Sequence, residues 1–172
     1  MMVRVRAPRA IPTQPGCYFY VHLPHKHIFE SCLAPVAWWD RTAKDSTEEF
    51  TFLLEDKWAS GLNKKSQVRL DGPYGKKINV GQYKTIILAA NGMGISGVLS
   101  FALSVLSRRQ SDMEKRVSRR DKVDKLDLYW KLDHTSNFQW VSDFFQELNK
   151  IEVTHVGRTF LTLLPEDNDT IQ

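Results

Sequence analysis

An uncharged stretch of 21 residues, IILAANGMGISGVLSFALSVL at 86–106, limits most strongly what this chain can fold into. A membrane-spanning helix needs about 20 mostly apolar residues, so the stretch is long enough to cross a bilayer. Its centre holds Asn91, Gly92, Gly94 and Gly97. Each glycine inside a helix costs about 1 kcal/mol relative to alanine. The pattern therefore favours a strand, a glycine turn and a helix over one membrane-spanning helix.

The glycines of this stretch also have the spacing of a phosphate-binding loop. GMGISG at 92–97 matches the pattern G-x-G-x-x-G. The β-prone run Lys84–Ala90 before it is typical of a strand buried on both faces, and apolar residues from Ile95 onward recur at helical spacing. Glycines at this spacing let the backbone approach a pyrophosphate, whose charge lies at the positive end of the helix. A helix of small residues packed on a sheet is the alternative interpretation.

The chain before this stretch is predicted to be β-structure. Aromatic and β-branched residues predict strands at Gly16–Leu23, Glu49–Leu54 and Gln67–Leu70. Asp71–Gly75 is rich in turn residues and predicts a break after the last of these strands. A small antiparallel barrel or sandwich is the expected architecture.

The chain after the stretch alternates between strand and helix patterns. Strands are predicted at Leu126–Leu132 and Ile151–Val156, and an amphipathic helix is predicted between them at Phe138–Lys150. Together with the strand and helix of the glycine stretch, this order implies a parallel α/β sheet.

Charge and ligand-type residues argue against several functional classes. The net charge of +4 arises in Arg108–Lys125, where eight basic and four acidic residues leave an excess of four. This run is predicted to be a solvated loop or a helix extension, and no nucleic-acid partner is predicted, because a binding face would spread its basic residues more widely. Cys17 and Cys32 indicate neither a disulfide framework nor a metal cluster. Three histidines between residues 22 and 27 lack a carboxylate or cysteine at metal-binding spacing, so no metal site is predicted.

Several motifs, taken in their order along the chain, resemble a known protein family. PGCYFYVHLP at 15–24 resembles a strand that leads into a flavin site, and DGPYG at 71–75 matches a G-P-Y-G turn. AANGMGIS at 89–96 resembles a loop that receives nucleotide phosphates, and residues 128–130 with 138–140 resemble the strand and helix that follow it. The chain thus resembles the flavin and nicotinamide domains of ferredoxin-reductase-like enzymes. The likeness is greatest to the cytosolic part of fungal ferric-chelate reductases and their NADPH oxidase relatives.

This resemblance implies an α+β fold in two parts, with a boundary near Ile78. Residues 1–78 would form a partial antiparallel β-barrel like an FAD-binding domain, and residues 79–172 a truncated, Rossmann-like NAD(P)-binding domain with a parallel α/β sheet. The implied activity is electron transfer from NAD(P)H through FAD to a metal acceptor such as a Fe³⁺ chelate, without a catalytic acid or base. The implied partner is a membrane haem domain on another or a longer chain. The implied location is the cytosolic side of a membrane, and no signal peptide is predicted.

Three groups of cofactor-binding residues follow from the resemblance. The loop that would hold the nucleotide pyrophosphate comprises Asn91, Gly92, Met93, Gly94, Ile95 and Ser96. The turn expected between the domains comprises Gly72, Pro73, Tyr74 and Gly75. The segment at the place of the flavin motif comprises Cys32, Leu33, Ala34 and Pro35. Asn91 stands where the family has the first glycine of the loop, and asparagine tolerates a positive φ better than most residues.

The flavin segment departs from the family, which has H-P-F-T where this chain has Cys32–Pro35, without the final hydroxyl. A shifted alignment on His27–Glu30 keeps the histidine and phenylalanine but places a carboxylate near the flavin. We therefore expect weak NAD(P)H binding with little or no flavin-dependent turnover, and a nucleotide-binding or regulatory remnant is the alternative to an active reductase. Lys131 would favour a 2′-phosphate and Asp133 a ribose hydroxyl, so NADH and NADPH are not distinguished.

Overall fold

The computed structural model describes residues 1–23, 30–39, 46–115, 121–132, 138, 139, 141, 142, 144, 146 and 158–164, the last range by its backbone alone. The chain divides into two compact units. The first unit comprises Met1–Ile78 and Ser96–Phe101, and the second comprises Asn79–Ile95 and Ala102–Gln172. The division into functional domains at residues 1–78 and 79–172 stays a prediction.

The first unit is built on a five-stranded antiparallel sheet. Its strands are β1 (Met2–Pro12), β2 (Tyr18–His22), β3 (Ser31–Trp39), β4 (Ser46–Leu53) and β5 (Arg69–Tyr74). Their order across the sheet is β1-β4-β3-β2-β5, and each neighbouring pair is antiparallel. A short helix α1 (Asp56–Ala59) follows β4. The predicted partial antiparallel barrel is confirmed as a half-barrel.

The strands of the first unit agree only in part with the sequence prediction. The predicted strands Gly16–Leu23 and Glu49–Leu54 correspond to β2 and β4, whereas β1 and β3 were not predicted. The turn predicted at Asp71–Gly75 is wrong, because β5 continues through Tyr74 and pairs with β2. β5 lies at the edge of the sheet, and an edge strand tolerates a proline because it needs no N–H donor on its free side.

The core of the first unit lies on the inward face of this half-barrel. Alternation along β2 buries Phe19 and Val21, and the facing strand β4 buries Phe50 and Phe52. The rings of Phe19 and Phe50 pack edge to face with their centroids 5.1 Å apart. Burying aromatic side chains of this size contributes most of the stabilisation that a small core provides. The residues left on the outward face of β2 are therefore available for other contacts.

The second unit contains a three-stranded parallel sheet and a long helix. Its elements are β6 (Thr85–Asn91), β7 (Lys125–Lys131), β8 (Arg158–Leu164) and the helix α2 (Ile95–Glu114) apart from Ser96–Phe101, which belongs to the first unit. The strand order is β6-β7-β8, and both pairs are parallel. A 3-10 turn at Gly92–Gly94 joins β6 to α2, so the predicted strand, glycine turn and helix are confirmed. The parallel sheet is confirmed too.

Strand β6 is buried on one face only, so the prediction of burial on both faces is wrong. Ile86 is buried, but the side chain of Ile87 on the opposite face is 65% exposed. Among the described strands, β6 is an edge of the sheet. The apolar composition of residues 84–90 showed that a strand forms, but composition does not show which of its faces another layer covers.

Part of the charged run Arg108–Lys125 is buried, which corrects the prediction of a solvated segment. Helix α2 continues to Glu114, as the helix-extension interpretation expected. Asp112 and Val123 are buried, and Arg108 Nε lies 2.9 Å from Asp121 Oδ2. The charges in this part of the run therefore pair within the fold.

Gly81 packs against this ion pair, and a methyl group there is expected to destabilise the second unit. A Cβ atom at Gly81 would lie 2.2 Å from Asp121 Oδ1 and 2.9 Å from its Cγ, while Arg108 holds the other carboxylate oxygen. We expect Gly81→Ala to lower the free energy of unfolding by about 1–3 kcal/mol, measured by urea denaturation. Gly97→Ala is the matched control, because no described atom outside the adjoining turns of its own helix and its two chain neighbours lies within 4 Å of its Cβ position. Equal stability of the two variants would contradict the expectation.

Several sequence predictions lie outside the described residues. They are the histidines at 25 and 27, the alternative flavin segment His27–Glu30 apart from Glu30, Asp133, the strand Ile151–Val156 and most of the helix Phe138–Lys150. The structure adds β8, which was not predicted. Within the described ranges, no helix is long and apolar enough to cross a membrane, and no group of three His, Cys, Asp or Glu side chains is arranged to hold a metal ion.

Candidate nucleotide-binding site

The glycine loop turns sharply between β6 and α2. Asn91 is extended, with φ −123° and ψ 131°, whereas Gly92 has a φ of 49°. The left-handed conformation therefore falls on Gly92, and the expectation that Asn91 would need its tolerance of positive φ is wrong. A side chain at Gly92 would be strained, since residues with a Cβ rarely adopt this conformation.

A tryptophan from the neighbouring strand holds the loop in place. The indole N–H of Trp130 donates a hydrogen bond to the Gly92 carbonyl oxygen over 2.9 Å, and Trp130 has no exposed surface. Trp130 reaches the loop because β6 and β7 pair in register, with Ala90 beside Trp130. Sequence reasoning placed Trp130 on a strand but not in the site, because its partner lies 38 residues away.

The loop leaves open space for a ligand at Gly94. The residue is exposed, and a Cβ built on it meets no described atom within 4 Å. Neighbouring side chains are less accessible, because Ile95 and Ser96 are buried at the start of α2. The backbone of the loop, and not the hydroxyl of Ser96, is therefore the surface that an approaching phosphate would meet. The first turn of a 20-residue helix adds a favourable positive potential there.

The predicted flavin segment lies in β3, and its side chains alternate between the two faces of the sheet. Ala34 is fully buried in the core, and Cys32 packs against that core from a half-buried position. Leu33 points outward and is 53% exposed, while Pro35 is half-buried. Burial raises the pKa of the Cys32 thiol, and the nearby carboxylate of Glu55 raises it further. The thiol is therefore neutral at physiological pH.

The G-P-Y-G residues belong to the same sheet as the flavin segment. Tyr74 on β5 pairs with Tyr18 on β2, which in turn pairs with Pro35 on β3. The Tyr74 hydroxyl donates a hydrogen bond to Asp71 Oδ1 over 2.8 Å, which raises the pKa of Tyr74. Gly72–Gly75 therefore presents a tyrosine on the sheet, instead of the simple turn that the sequence predicted.

Residues 83–162 match the model of the family described as the ferric reductase NAD binding domain. This segment is similar to that family. It contains the glycine loop, Trp130, the strands β6 and β7, and most of β8. No curated protein matches the sequence.

Solved structures with a similar fold come from the ferredoxin reductases. Ferredoxin-NADP+ reductase from Plasmodium falciparum with 2′P-AMP is 10% identical, covers 100% of this chain and 73% of its own, and has a TM-score of 0.61. An NADH-dependent reduced ferredoxin-NADP oxidoreductase is 14% identical over 96% of this chain and 56% of its own, with a TM-score of 0.57. The ferredoxin reductase in carbazole 1,9a-dioxygenase is 14% identical over 99% of this chain and 47% of its own, with a TM-score of 0.55. At these identities the likeness establishes a ferredoxin-reductase-like fold.

In open α/β sheets, nucleotides bind at the carboxyl ends of the parallel strands. β6 ends at Asn91, which pairs in register with Lys131 at the end of β7. The glycine loop follows Asn91 directly. The glycine turn, the start of α2 and Lys131 thus lie at the carboxyl ends of β6 and β7. Together they fit an anionic dinucleotide.

Proposed function

We propose that the chain binds NAD(P)H at the glycine loop and passes its electrons through FAD to a ferric chelate. The observation that carries the proposal is the sharp turn at Gly92–Gly94, open to a ligand at Gly94, inside a segment that matches the ferric reductase NAD-binding domain. NAD(P)H supplies a hydride, and FAD, when bound, converts this electron pair into single electrons. One hydride then reduces two ferric ions to ferrous ions, and NAD(P)⁺ and one proton are released.

Each part of the glycine loop has a separate proposed role in binding the nucleotide. The backbone at Gly92 and Gly94 would contact the pyrophosphate, while Trp130 holds the Gly92 carbonyl and so keeps the loop in its turned conformation. The start of α2 would stabilise the phosphate charge. The side chains of this chain bind and orient the nucleotide, and none of them has to accept or donate a proton.

Lys131 supports NADPH over NADH as the preferred nucleotide. An ammonium group at the end of the second strand of a dinucleotide fold favours a 2′-phosphate, while a carboxylate at that place favours a ribose hydroxyl. The fold relative from Plasmodium falciparum was solved with 2′P-AMP, which carries such a phosphate. Comparison of the dissociation constants of NADPH and NADH by calorimetry tests this preference.

Filling the open space at Gly94 is expected to weaken nucleotide binding without harming the fold. Gly94→Val adds a branched side chain where no described protein atom lies within 4 Å of the Cβ position, so the free protein accommodates it. The same side chain would occupy the path of the phosphates, and we expect the dissociation constant for NADPH to rise by about tenfold or more, equivalent to about 1.4 kcal/mol.

Ser107→Val provides the matched control for this experiment. Ser107 is half-buried on α2, the helix that begins directly after Gly94, and lies more than three turns from its start. The control is expected to bind NADPH like the unsubstituted protein. Unchanged NADPH affinity in Gly94→Val, with both variants folded by circular dichroism, would refute the proposed role of the loop.

A nucleotide-binding protein without turnover is the second candidate function. The observation that favours it is the flavin segment, in which Ala34 is buried in the core and no hydroxyl is present. Ferricyanide reduction in the presence of NADPH and FAD separates the two candidates. Sustained turnover with a bound flavin supports the reductase, and NADPH binding without turnover supports the second candidate.

Transfer of the electrons to a partner protein is the second proposed route. A membrane haem domain on another or a longer chain would accept electrons at the cytosolic side of a membrane. Reduction of a haem protein in membranes, measured from its absorbance after NADPH is added with and without this chain, tests the partnership.

A further inference from the structure

Strand β6 carries the most exposed large hydrophobic side chain of the described residues. Ile87 lies near the middle of the strand and is 65% exposed. Thr85, Ala89 and Asn91 alternate along the same face and are exposed as well. Among the described strands, β7 is the one that pairs with β6, so the other edge of β6 has no strand beside it. We call this edge the open edge of β6.

The open edge of β6 lacks the features that protect the two edges of the five-stranded sheet. β6 has the sequence TIILAAN, without a charge or a proline, and it pairs with β7 without a bulge. In the five-stranded sheet, β1 carries three arginines and a register shift between Arg6 and Ile11, and β5 contains Pro73. Charges, prolines and bulges on an edge strand prevent it from pairing with another chain. Their absence leaves β6 able to pair with a further strand.

The sequence of β6 is complementary to itself when two copies run in opposite directions. With a two-fold axis at Leu88, each isoleucine of one copy lies opposite an alanine of the other, and the polar residues at the two ends lie opposite each other. The pairs are Ile86 with Ala90, Ile87 with Ala89, and Thr85 with Asn91. Large side chains therefore meet small ones on both faces, and no like charges meet along the strand. A two-fold interface requires this kind of self-complementarity, so the best match for the open edge is the same edge of a second copy.

We propose that two copies of the chain join antiparallel along β6, so that their three-stranded sheets become one continuous sheet. The paired strands are seven residues long, which gives a seam of about 23 Å. One strand pair buries less surface than a standard protein interface, so the dimer is weak, with a dissociation constant in the micromolar range. The glycine loops follow the carboxyl ends of the two paired strands and therefore lie at opposite ends of the seam.

Sedimentation of the full chain at increasing concentration tests the pairing, and we expect a monomer–dimer equilibrium for the unsubstituted protein. Ile87→Lys is expected to raise the dissociation constant of the dimer by about tenfold or more, because the two lysines would lie diagonally across the seam and repel each other. Ile87→Glu is expected to have the same effect. Ile78→Lys is the matched control, since Ile78 is 55% exposed but lies outside β6. The control is expected to form the dimer as the unsubstituted protein does.

A mixture of the two charged variants tests whether residue 87 of one copy lies near residue 87 of the other. Fluorescently labelled Ile87→Lys is expected to bind Ile87→Glu about tenfold more tightly than either variant binds itself, because opposite charges then meet across the seam. Labelled Ile87→Lys mixed with Ile78→Glu is the control and is expected to show no such gain. Circular dichroism of each variant before mixing shows that it is folded. The absence of a gain in the first mixture would contradict antiparallel pairing about Leu88.

Three other results would overturn the proposal. The first is an unsubstituted protein that sediments as a monomer at every concentration. The second is a dimer that Ile87→Lys and Ile78→Lys affect equally, which would assign the interface to another surface. The third is a monomer whose free energy of unfolding falls in Ile87→Lys but not in Ile78→Lys, which would show that another part of the same chain covers β6.

Discussion

Trp130→Ala is expected to lower the free energy of unfolding by about 3–5 kcal/mol, the usual cost of truncating a fully buried aromatic side chain. The side chain has no exposed surface, and its indole N–H is bonded to the Gly92 carbonyl oxygen. The substitution therefore removes packing under the sheet and the donor that holds the glycine loop. Urea denaturation followed by circular dichroism measures the loss.

Trp130→Phe separates the hydrogen bond from the packing. Phenylalanine keeps most of the apolar volume but removes this donor from the Gly92 carbonyl oxygen, which still accepts a hydrogen bond from the Ile95 backbone N–H, so the expected cost is about 0.5–1.5 kcal/mol. Because the loop loses its anchor, we also expect the dissociation constant for NADPH to rise several-fold. A variant that loses stability but keeps full NADPH affinity would show that Trp130 supports the sheet and not the site.

Trp38→Phe serves as the control for these variants. Trp38 lies half-buried on β3 in the first unit, so its truncation removes a comparable group far along the chain from the loop. We expect a smaller loss of stability and no change in NADPH affinity. An equal change in NADPH affinity for Trp38→Phe would indicate a general effect of losing a tryptophan.

The strand, turn and helix at 85–114 could be predicted because the local sequence determines them. An uncharged run interrupted by glycines cannot form one regular element without a penalty at each glycine, and the apolar spacing after Ile95 is helical. The exposure of Ile87 could not be predicted in the same way. It depends on which layers cover the sheet, and that is a property of tertiary packing.

Strand β1, which was not predicted, and the second half of β5, which was predicted to be a turn, do not show a regular alternation of apolar and polar residues. In β1 the alternation places Val5 and Ala7 inward, but arginines fill the outward positions and make the segment resemble a charged terminus. In β5 the pattern is broken by Gly72 and Pro73, which an edge strand accepts. Local propensity argues against strands at both places, and pairing with a neighbouring strand overrides it.

Prediction of the candidate sites from the sequence has the same limit, because contacts made through strand pairing are not visible in the local sequence. The glycine loop was identified from spacing alone, whereas Trp130 becomes part of the site only through the register of β6 and β7. The contact between the rings of Tyr18 and Tyr74 likewise depends on the pairing of β2 with β5, because these residues are 56 positions apart in the sequence. Residues that meet through sheet register cannot be assigned to one site from a single sequence.

Gly75→Ala is expected to destabilise the first unit by about 3 kcal/mol, combining backbone strain with a steric clash. Gly75 has a φ of 119°, and a Cβ there would lie 2.9 Å from the Gly16 carbonyl oxygen and 3.3 Å from Cys17 Cα. These are backbone atoms, so the neighbours cannot rotate away as a flexible side chain could. Urea denaturation of the full chain measures the effect.

Gly61→Ala isolates the clash from the strain. Gly61 has a φ of 80°, but a Cβ there meets no described atom within 4 Å, so only the conformational cost of about 1–2 kcal/mol applies. If both variants lose the same free energy of unfolding, the backbone adjusts around the new methyl group, and the clash between Gly75 and Gly16 adds no destabilisation. If Gly75→Ala loses more, the difference between the two variants is the cost of the clash with the Gly16 carbonyl oxygen. The glycines of the G-P-Y-G motif then serve packing in the first unit, because a Cβ at Gly72 would likewise lie 2.8 Å from Phe19 Cδ1 and keep β5 from approaching β2.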